Sequence, residues 1–455
     1  MTRSRWAPPS YWIQTIVCSL SSKPLLSIDA QSRLDALVET AVKRGAFSGA
    51  SLLVSRRPGQ VFERMWGRLQ TAGDPVTPCA RFDLASLTKP LVTAPLCMTA
   101  VGGGYLELDD PISRFFPGRV PGDKEAITVE HLLSHASGLP AWAPFYLELV
   151  TMASEKRREA LAKMILQTPL INPPGTAATY SDLGFMLLGL ILERQMGGRL
   201  DGLARDLLFA PLGIDQLHFY PRDGARDPMP NPEPQALPAA ILPAGISPGA
   251  PGAQAGILAG APDAQAGNSP GAAAAGAPGA VAATQFCPWR KRLLCGEVDD
   301  ENAWALDGVA GHAGLFGTAR GVFDLLSFLW KLYEGPDART PSPSAGPAAL
   351  PPFITAEAVR LFWRPSELAR AGSSTWRLGF DTPSPKGYTS AGRFFSQKAV
   401  GHLGFTGVSF WLDLEKRVLI IFLTNRVHPT RKNDEIRNFR PLLHDIVMKA
   451  LLYDN

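Results

Sequence analysis

The sequence has little of what cross-links chains or crosses membranes. Its five cysteines, at 18, 79, 97, 287 and 295, are scattered and odd in number. None stands in a Cys-x-x-Cys spacing, so neither a disulfide framework nor a zinc site is read from them. Cys287 and Cys295 could pair in an exported chain, but unpaired packing is the simpler reading. No apolar run approaches the roughly 20 residues of a membrane-spanning helix. Basic residues do not cluster among aromatics, and the net charge is only +4. Nucleic acid is therefore not an expected partner.

What is present suits a large folded body. The chain has 455 residues, of which 45 % are apolar, enough for a substantial core. Residues 1–24 are set apart as a leader or flexible segment. Arg3 and Arg5 precede an imperfect apolar stretch, Tyr11–Leu20. Gln14 interrupts that stretch and no clean small-x-small site follows it. The envelope or periplasm and the cytoplasm both remain open as locations.

From residue 25 onward the pattern predicts one catalytic-sized body. Leu34, Leu37, Val38, Ala41 and Val42 recur at helical spacing within 28–46. Segments 51–55 and 61–66 flank Pro58-Gly59 as a hairpin. Helices are expected at 86–101, 128–136, 153–166, 182–195, 320–333 and 434–452. Strands are expected at 409–414 and 417–424, joined at Glu415-Lys416. Strands near both ends and helices between them suggest an antiparallel sheet built from both termini, with a mainly helical region at about 87–220. Residues 224–284 are mostly Ala, Gly and Pro. Too few bulky side chains stand there to offset chain entropy, so a disordered insertion is expected. A second solvated loop is expected at 335–352.

Three short stretches carry chemistry. In Asp83-Leu-Ala-Ser-Leu-Thr-Lys-Pro90, Ser86 and Lys89 share one face of a starting helix. A serine hydroxyl needs a neighbouring base to become a nucleophile, and a lysine with a lowered pKa can serve. Only Lys89, among all the lysines, has a serine three residues before it. Taken alone, a chain this long contains about one such pair by chance. In the second stretch, Tyr180-Ser-Asp182 sits on a Gly/Pro-rich turn before an apolar helix. In the third, Gly401-His-Leu-Gly-Phe-Thr-Gly407 leads into a strand, where backbone N–H groups can approach a substrate.

Ser-x-x-Lys, Tyr-x-Asp and His-x-Gly in this order resemble the penicillin-recognising serine hydrolases. The resemblance points to the class C β-lactamase-related branch, with its DD-peptidases and carboxylesterases. "DLASLTKP", "ITVEHLLSHASGLP", "YSDLGFMLLG", "GVAGHAGLFGTA" and "GHLGFTGVSFWLD" extend it from about residue 30 to 450. It implies an α/β sandwich of β-lactamase/transpeptidase type, with an antiparallel sheet flanked by helices beside a mainly helical region. It also implies hydrolysis of a small ester, amide or D-amino-acid peptide through an acyl-enzyme, with no metal or cofactor. By similarity Ser86 is the nucleophile, Lys89 holds or receives the proton, and Tyr180 acts as base and acid. His402 stands for the third motif's basic residue, within the Gly404 turn. The N–H groups of Ser86 and Phe405 form the oxyanion hole.

Two departures matter. Asp182 stands where better-known relatives carry asparagine, and a carboxylate cannot donate to a substrate carbonyl. It should also raise the Lys89 pKa, and a charged Lys89 should then lower that of Tyr180, which favours Tyr180 as base. His402 replaces a lysine that in β-lactamases supplies a fixed charge for the substrate carboxylate, which weakens the case for a β-lactamase. The ranking is D-amino-acid peptidase or carboxylesterase first, then β-lactamase, then a non-catalytic module that binds peptide or cell-wall fragments.

Other features read as structural. His131 and His135 stand i, i+4 without an evident third metal ligand. His312, in a Gly-His-Ala-Gly turn, is expected to bond backbone or to line the cleft. Asp109-Asp110 reads as a turn or cap. Trp142, Phe145 and Tyr146 either wall an acyl pocket or simply pack.

Overall fold

A computed structural model describes residues 24–56, 60–222, 280–335 and 354–454. The leader, the Pro58-Gly59 turn, most of the 224–284 insertion and nearly all of the 335–352 loop lie outside the described residues.

Helix α1 (Ile28–Lys43) starts at Ser27, whose Oγ accepts the Ala30 N–H at 3.2 Å. It leads into strands β1 (Gly49–Arg56) and β2 (Val61–Gly67). Three more strands come from the C-terminal end: β3 (Val400–Leu403), β4 (Ser409–Asp413) and β5 (Val418–Thr424). The order is β2-β1-β5-β4-β3, antiparallel throughout. The expected sheet from both termini is therefore present, with first and last strands paired along Ala50↔Thr424 to Arg56↔Val418.

Successive side chains of a strand point to opposite faces. Leu52, Val54, Ile420 and Phe422 join α1 and the closing helix in one core. Leu53, Leu419, Ile421 and Leu423 face the other way, into the larger core that includes the helical region. Both faces are covered, so β1 and β5 read as continuous apolar runs rather than alternating ones. Truncating a side chain such as Ile421 to alanine would cost about 2–5 kcal/mol.

The expected helices are present, with ends shifted by up to three residues in either direction. Helices run Val129–Leu133, Ser154–Gln167, α2 (Asp182–Met196), α3 (Ala319–Glu334) and α4 (Ile436–Tyr453). Ser181 caps α2 by accepting the Gly184 N–H at 3.2 Å, and Gly197 ends it in the left-handed conformation. No helix of the described residues is long and apolar enough to cross a membrane.

Three expectations need correction. Residues 86–101 are not one regular helix. A 3₁₀ turn (Ala85–Leu87) and a π turn (Lys89–Thr93) precede a regular helix at Ala94–Gly102. His402 does not stand on a loop before a strand but on β3 itself. Gly401 makes this possible, because a Cβ there would lie 2.3 Å from Trp411 Cε3. Finally, the insertion expected over 224–284 ends before Val281. Val281–Thr284 are buried, and Ala282 and Ala283 donate to the carbonyls of Arg81 and Leu69 at 2.8 and 2.9 Å.

Candidate active site

The serine turn begins with strain. Ala85, the residue before Ser86, has φ +47°, a region alanine rarely occupies. Asp83 Oδ1 accepts the Ala85 N–H at 2.8 Å, and Ala85 offers its carbonyl to Thr88 Oγ1 at 2.7 Å. The π turn that follows brings Lys89 inward, and such turns recur at functional sites.

Lys89 is fully buried. Its ammonium spends all three N–H donors, on Ser86 Oγ (3.1 Å), Asp182 Oδ1 (2.7 Å) and the His312 carbonyl (3.0 Å). Burial pulls the Lys89 pKa down, but Asp182 and Tyr180 outweigh it and leave it raised. The expected effect of Asp182 is thus present.

Tyr180 Oη donates to Ser86 Oγ at 2.8 Å. Here the sequence expectation fails. Lys89 does lower the Tyr180 pKa, but burial is the larger effect and pushes it up to about 12. At neutral pH the site rests with an ammonium and a phenol both donating to one serine oxygen.

His402 is neutral. Its Nδ1–H donates to the Leu403 carbonyl at 2.7 Å, so the buried Nε2 carries a lone pair. Burial and then Lys89 lower its pKa to about 3. It therefore supplies no fixed positive charge. Gly404 is required by close approach, since a Cβ there would lie 2.9 Å from the Leu84 carbonyl oxygen. Phe405 is half-exposed at the rim, with the Arg426 guanidinium 4.5 Å from its ring centroid. Ser86, Tyr180, Asp182, His402, Gly404 and Phe405 all line one cleft of about 880 Å³. Lys89 lies beneath it.

The remaining candidates divide. Trp142 lines the cleft, whereas Phe145 and Tyr146 pack against the core, the latter with its N–H on Asn302 Oδ1 at 2.9 Å. Asp110 accepts the Glu107 N–H at 2.7 Å and pairs with Arg114, as a turn residue does. His131 completes a capping box with Thr128, and no cluster fit for a metal occurs among the described residues.

His312 and His135 belong to the site more closely than the sequence suggested. His312 bonds not backbone but Asp300, Nε2 to Oδ1 at 2.9 Å, and its carbonyl anchors Lys89. Gly311 allows this by packing on α2, where a Cβ would lie 2.2 Å from the Phe185 carbonyl oxygen. His135 brackets Tyr180. Its carbonyl takes the Thr179 N–H at 2.9 Å, its Nδ1 takes the Ser181 N–H at 3.1 Å, and its ring lies 4.8 Å from that of Tyr180. Burial holds its pKa well below the ordinary value, which keeps Nδ1 an acceptor.

Several charged residues of the cleft escaped sequence reasoning. Arg431 pairs with Asp299 and Glu301, each at 2.8 Å. Arg426 and Arg440 are buried, and among the described residues their hydrogen bonds go to carbonyls only. Arg426 reaches Phe405 and Asn433 at 2.8 and 2.7 Å, and Arg440 reaches Gly407 at 3.0 Å. Burial lowers the Arg440 pKa to about 10. The adjacent acids in "DDENAWA" were the one available signal.

With this geometry described, comparison with known proteins is direct. The family model described as Beta-lactamase matches residues 34–442. A "Putative D-alanyl-D-alanine carboxypeptidase" of Escherichia coli (strain K12) is 25 % identical over 428 residues, covering 90 % of this chain and 85 % of that one. An "N-acetylmuramyl-L-alanine amidase" of Bacillus subtilis (strain 168) is 28 % identical over 459 residues, covering 94 % and 89 %. Two solved structures share the fold. EstCE1, a hydrolase with promiscuous acyltransferase activity, has a TM-score of 0.59 at 19 % identity, covering 93 % of this chain and all of that one. The octameric penicillin-binding protein homologue from Pyrococcus abyssi also scores 0.59, at 18 % identity, covering 92 % and 76 %. The chain belongs to the β-lactamase family of serine hydrolases.

Proposed function

We propose that this hydrolase cleaves a peptide amide through an acyl-enzyme on Ser86. The observation that carries the reading is the pair of contacts on Ser86 Oγ, from Lys89 at 3.1 Å and Tyr180 at 2.8 Å. Once the pair has lost one proton, it can accept the serine proton as Oγ attacks the carbonyl carbon. Tyr180 then returns a proton to the leaving amine. The N–H groups of Ser86 and Phe405 receive the oxyanion, and water releases the acyl group by the reverse path.

Two observations favour a peptide over a β-lactam. His402 supplies no cation. Relatives named carboxypeptidase and amidase agree in direction. Arg426 and Arg440, which also line the cleft, have no carboxylate partner among the described residues, which suits a negatively charged substrate of either kind. An ester is the second reading, favoured by the half-exposed Trp142 and Phe405 at the rim.

The test is stopped-flow hydrolysis of p-nitrophenyl butyrate beside a D-alanyl-D-alanine peptide, for the wild type and Ser86→Ala. A burst near one equivalent, present in the wild type and absent from the variant, is expected. Peptide turnover should depend on Ser86 in the same way. An equal burst in both proteins would remove Ser86 from the mechanism. Turnover of the ester alone would favour the second reading.

A further inference from the structure

We propose that Asp83 is a positioning residue that sets both halves of the oxyanion hole in register. The proposal rests on the reading of Ser86 as nucleophile. Asp83 is buried in the short strand Phe82–Asp83. Its carboxylate grips two backbone N–H groups, Ala85 on Oδ1 at 2.8 Å and Asp299 on Oδ2 at 2.7 Å. Its own carbonyl accepts the Thr406 hydroxyl at 2.7 Å.

These bonds reach the two residues next to the proposed donors. Ala85 precedes Ser86 and holds its φ of +47° partly through the bond to Asp83. Thr406 follows Phe405, and its carbonyl is fixed in turn by the Arg426 N–H at 2.9 Å. One side chain and its own peptide thus bridge the nucleophile turn and the loop after β3. Oxyanion donors act when they stand at about 2.7–3.1 Å from the position the developing oxyanion will occupy, so a shift of a few tenths of an ångström matters. A displacement at Asp83 would therefore be felt at both.

An ionised carboxylate accepts at both oxygens, while a protonated one turns one oxygen into a donor facing an N–H. The charged groups acting on Asp83 are Asp299 and Asp300, from the loop before the helix Glu301–Ala305. Arg431 stands behind Asp299. The strand Leu315–Gly317 faces Asp83 with Phe316, and the loop after β3 faces it with Thr406. Burial first, then Asp299, raises the Asp83 pKa to about 7. The working form is the ionised one, so acylation should fall on the acid side as pH drops through about 7. Neither Lys89 nor Tyr180, both raised, nor His402, near 3, titrates there, whereas Asp381, in the same cleft and raised to about 6, is separated from Asp83 by the Asp83→Asn variant.

The experiment follows the p-nitrophenyl butyrate burst from pH 5.5 to 9 in the wild type, Asp83→Asn, Thr406→Val and Ser86→Ala. Asp83→Asn should acylate about 10- to 100-fold more slowly at pH 8, with KM within about threefold, and should lose the step near pH 7. Thr406→Val should also slow acylation but keep that step, because the carboxylate is untouched. Wild-type rates in both variants, or a step that survives Asp83→Asn, would overturn the proposal. So would a wild-type profile that does not steepen below about pH 7, the form the step takes on a rate still rising with pH, and this needs no variant to fold. A burst that persists in Ser86→Ala refutes the nucleophile instead, which keeps the two failures apart.

Discussion

The two walls of the cleft treat charge in opposite ways. On the wall made by the serine turn and the start of α2, every charge is answered. Lys89 has an acceptor for each N–H, and Asp182 has Lys89. On the wall made by β3, the end of β5 and α4, charge is absent or unanswered. His402 is neutral, and Arg426 and Arg440 have no carboxylate partner among the described residues. A buried ion left without its partner is costly, so an unpaired guanidinium in a cleft suits a site completed by its ligand. The first wall is ready for proton transfer before substrate arrives. On the proposed reading the second is completed by the substrate, and it is where specificity should reside.

The comparison breaks most sharply at Lys89. Lys89→Met keeps the volume but removes the charge, and should lower kcat on the order of 10³-fold, the range for loss of acid–base help. Asp182→Asn tests the same wall more finely. Below its raised pKa the Lys89–Tyr180 pair keeps its protons, so wild-type kcat/KM should climb about tenfold per pH unit above neutrality. Without the Asp182 charge, only Tyr180 still opposes burial at Lys89, and the lysine pKa falls. The alkaline rise should then move acidward by more than one pH unit, measured on a neutral ester. An unmoved profile would mean that Asp182 does not govern the protons of the first wall.

A smaller effect is expected from the second wall. His402→Lys puts a cation where the imidazole now offers a lone pair. Burial and Lys89 will depress the new lysine, so its charge is held only at lower pH. At pH 6 the variant should bind a carboxylate-bearing peptide severalfold more tightly by KM, with little change toward a neutral ester. Equal changes for the two substrates would assign the effect to packing and not to charge.

How much of this was legible follows the range of the interactions. Ser86 and Lys89, three residues apart, and Tyr180 with Asp182, two apart, can be read as local patterns. The order of the three motifs then implies the fold that joins them. The sheet was legible because β1 and β5 are continuous apolar runs. What could not be read depends on burial and on distant partners. The neutrality of His402 and the raised pKa of Tyr180 are set by how much water the fold removes, which no short motif records. The role of His135 rests on two backbone bonds to residues 44 and 46 positions later. The unpaired arginines look like any others until the carboxylates around them are located.

The smallest expected effect concerns the Ala/Gly/Pro-rich segment, and there the comparison lies between its interior and its end. Excising 230–274 leaves twelve residues, 223–229 and 275–279, to join the described ends. Their reach is about 40 Å. Loop entropy changes slowly with length, by about 0.6 kcal/mol per halving, so Tm should shift by only a few degrees. If neither wall depends on the segment, kcat should stay within twofold. Extending the cut through Thr284 removes more than loop. It takes away buried Val281, Ala282 and Ala283. It also removes the bonds of Ala282 to Arg81, Ala283 to Leu69 and Thr284 to Leu294, and one of the three acceptors of Asn425 Nδ2. At about 1 kcal/mol for each lost bond, plus the lost apolar burial, that variant should melt far lower or fail to fold. Thermal melts of the two deletions side by side decide the matter. Equal melting would mean that 281–284 contribute nothing to the body. A large loss of activity in the shorter deletion, with its Tm kept, would instead make the segment part of the working enzyme.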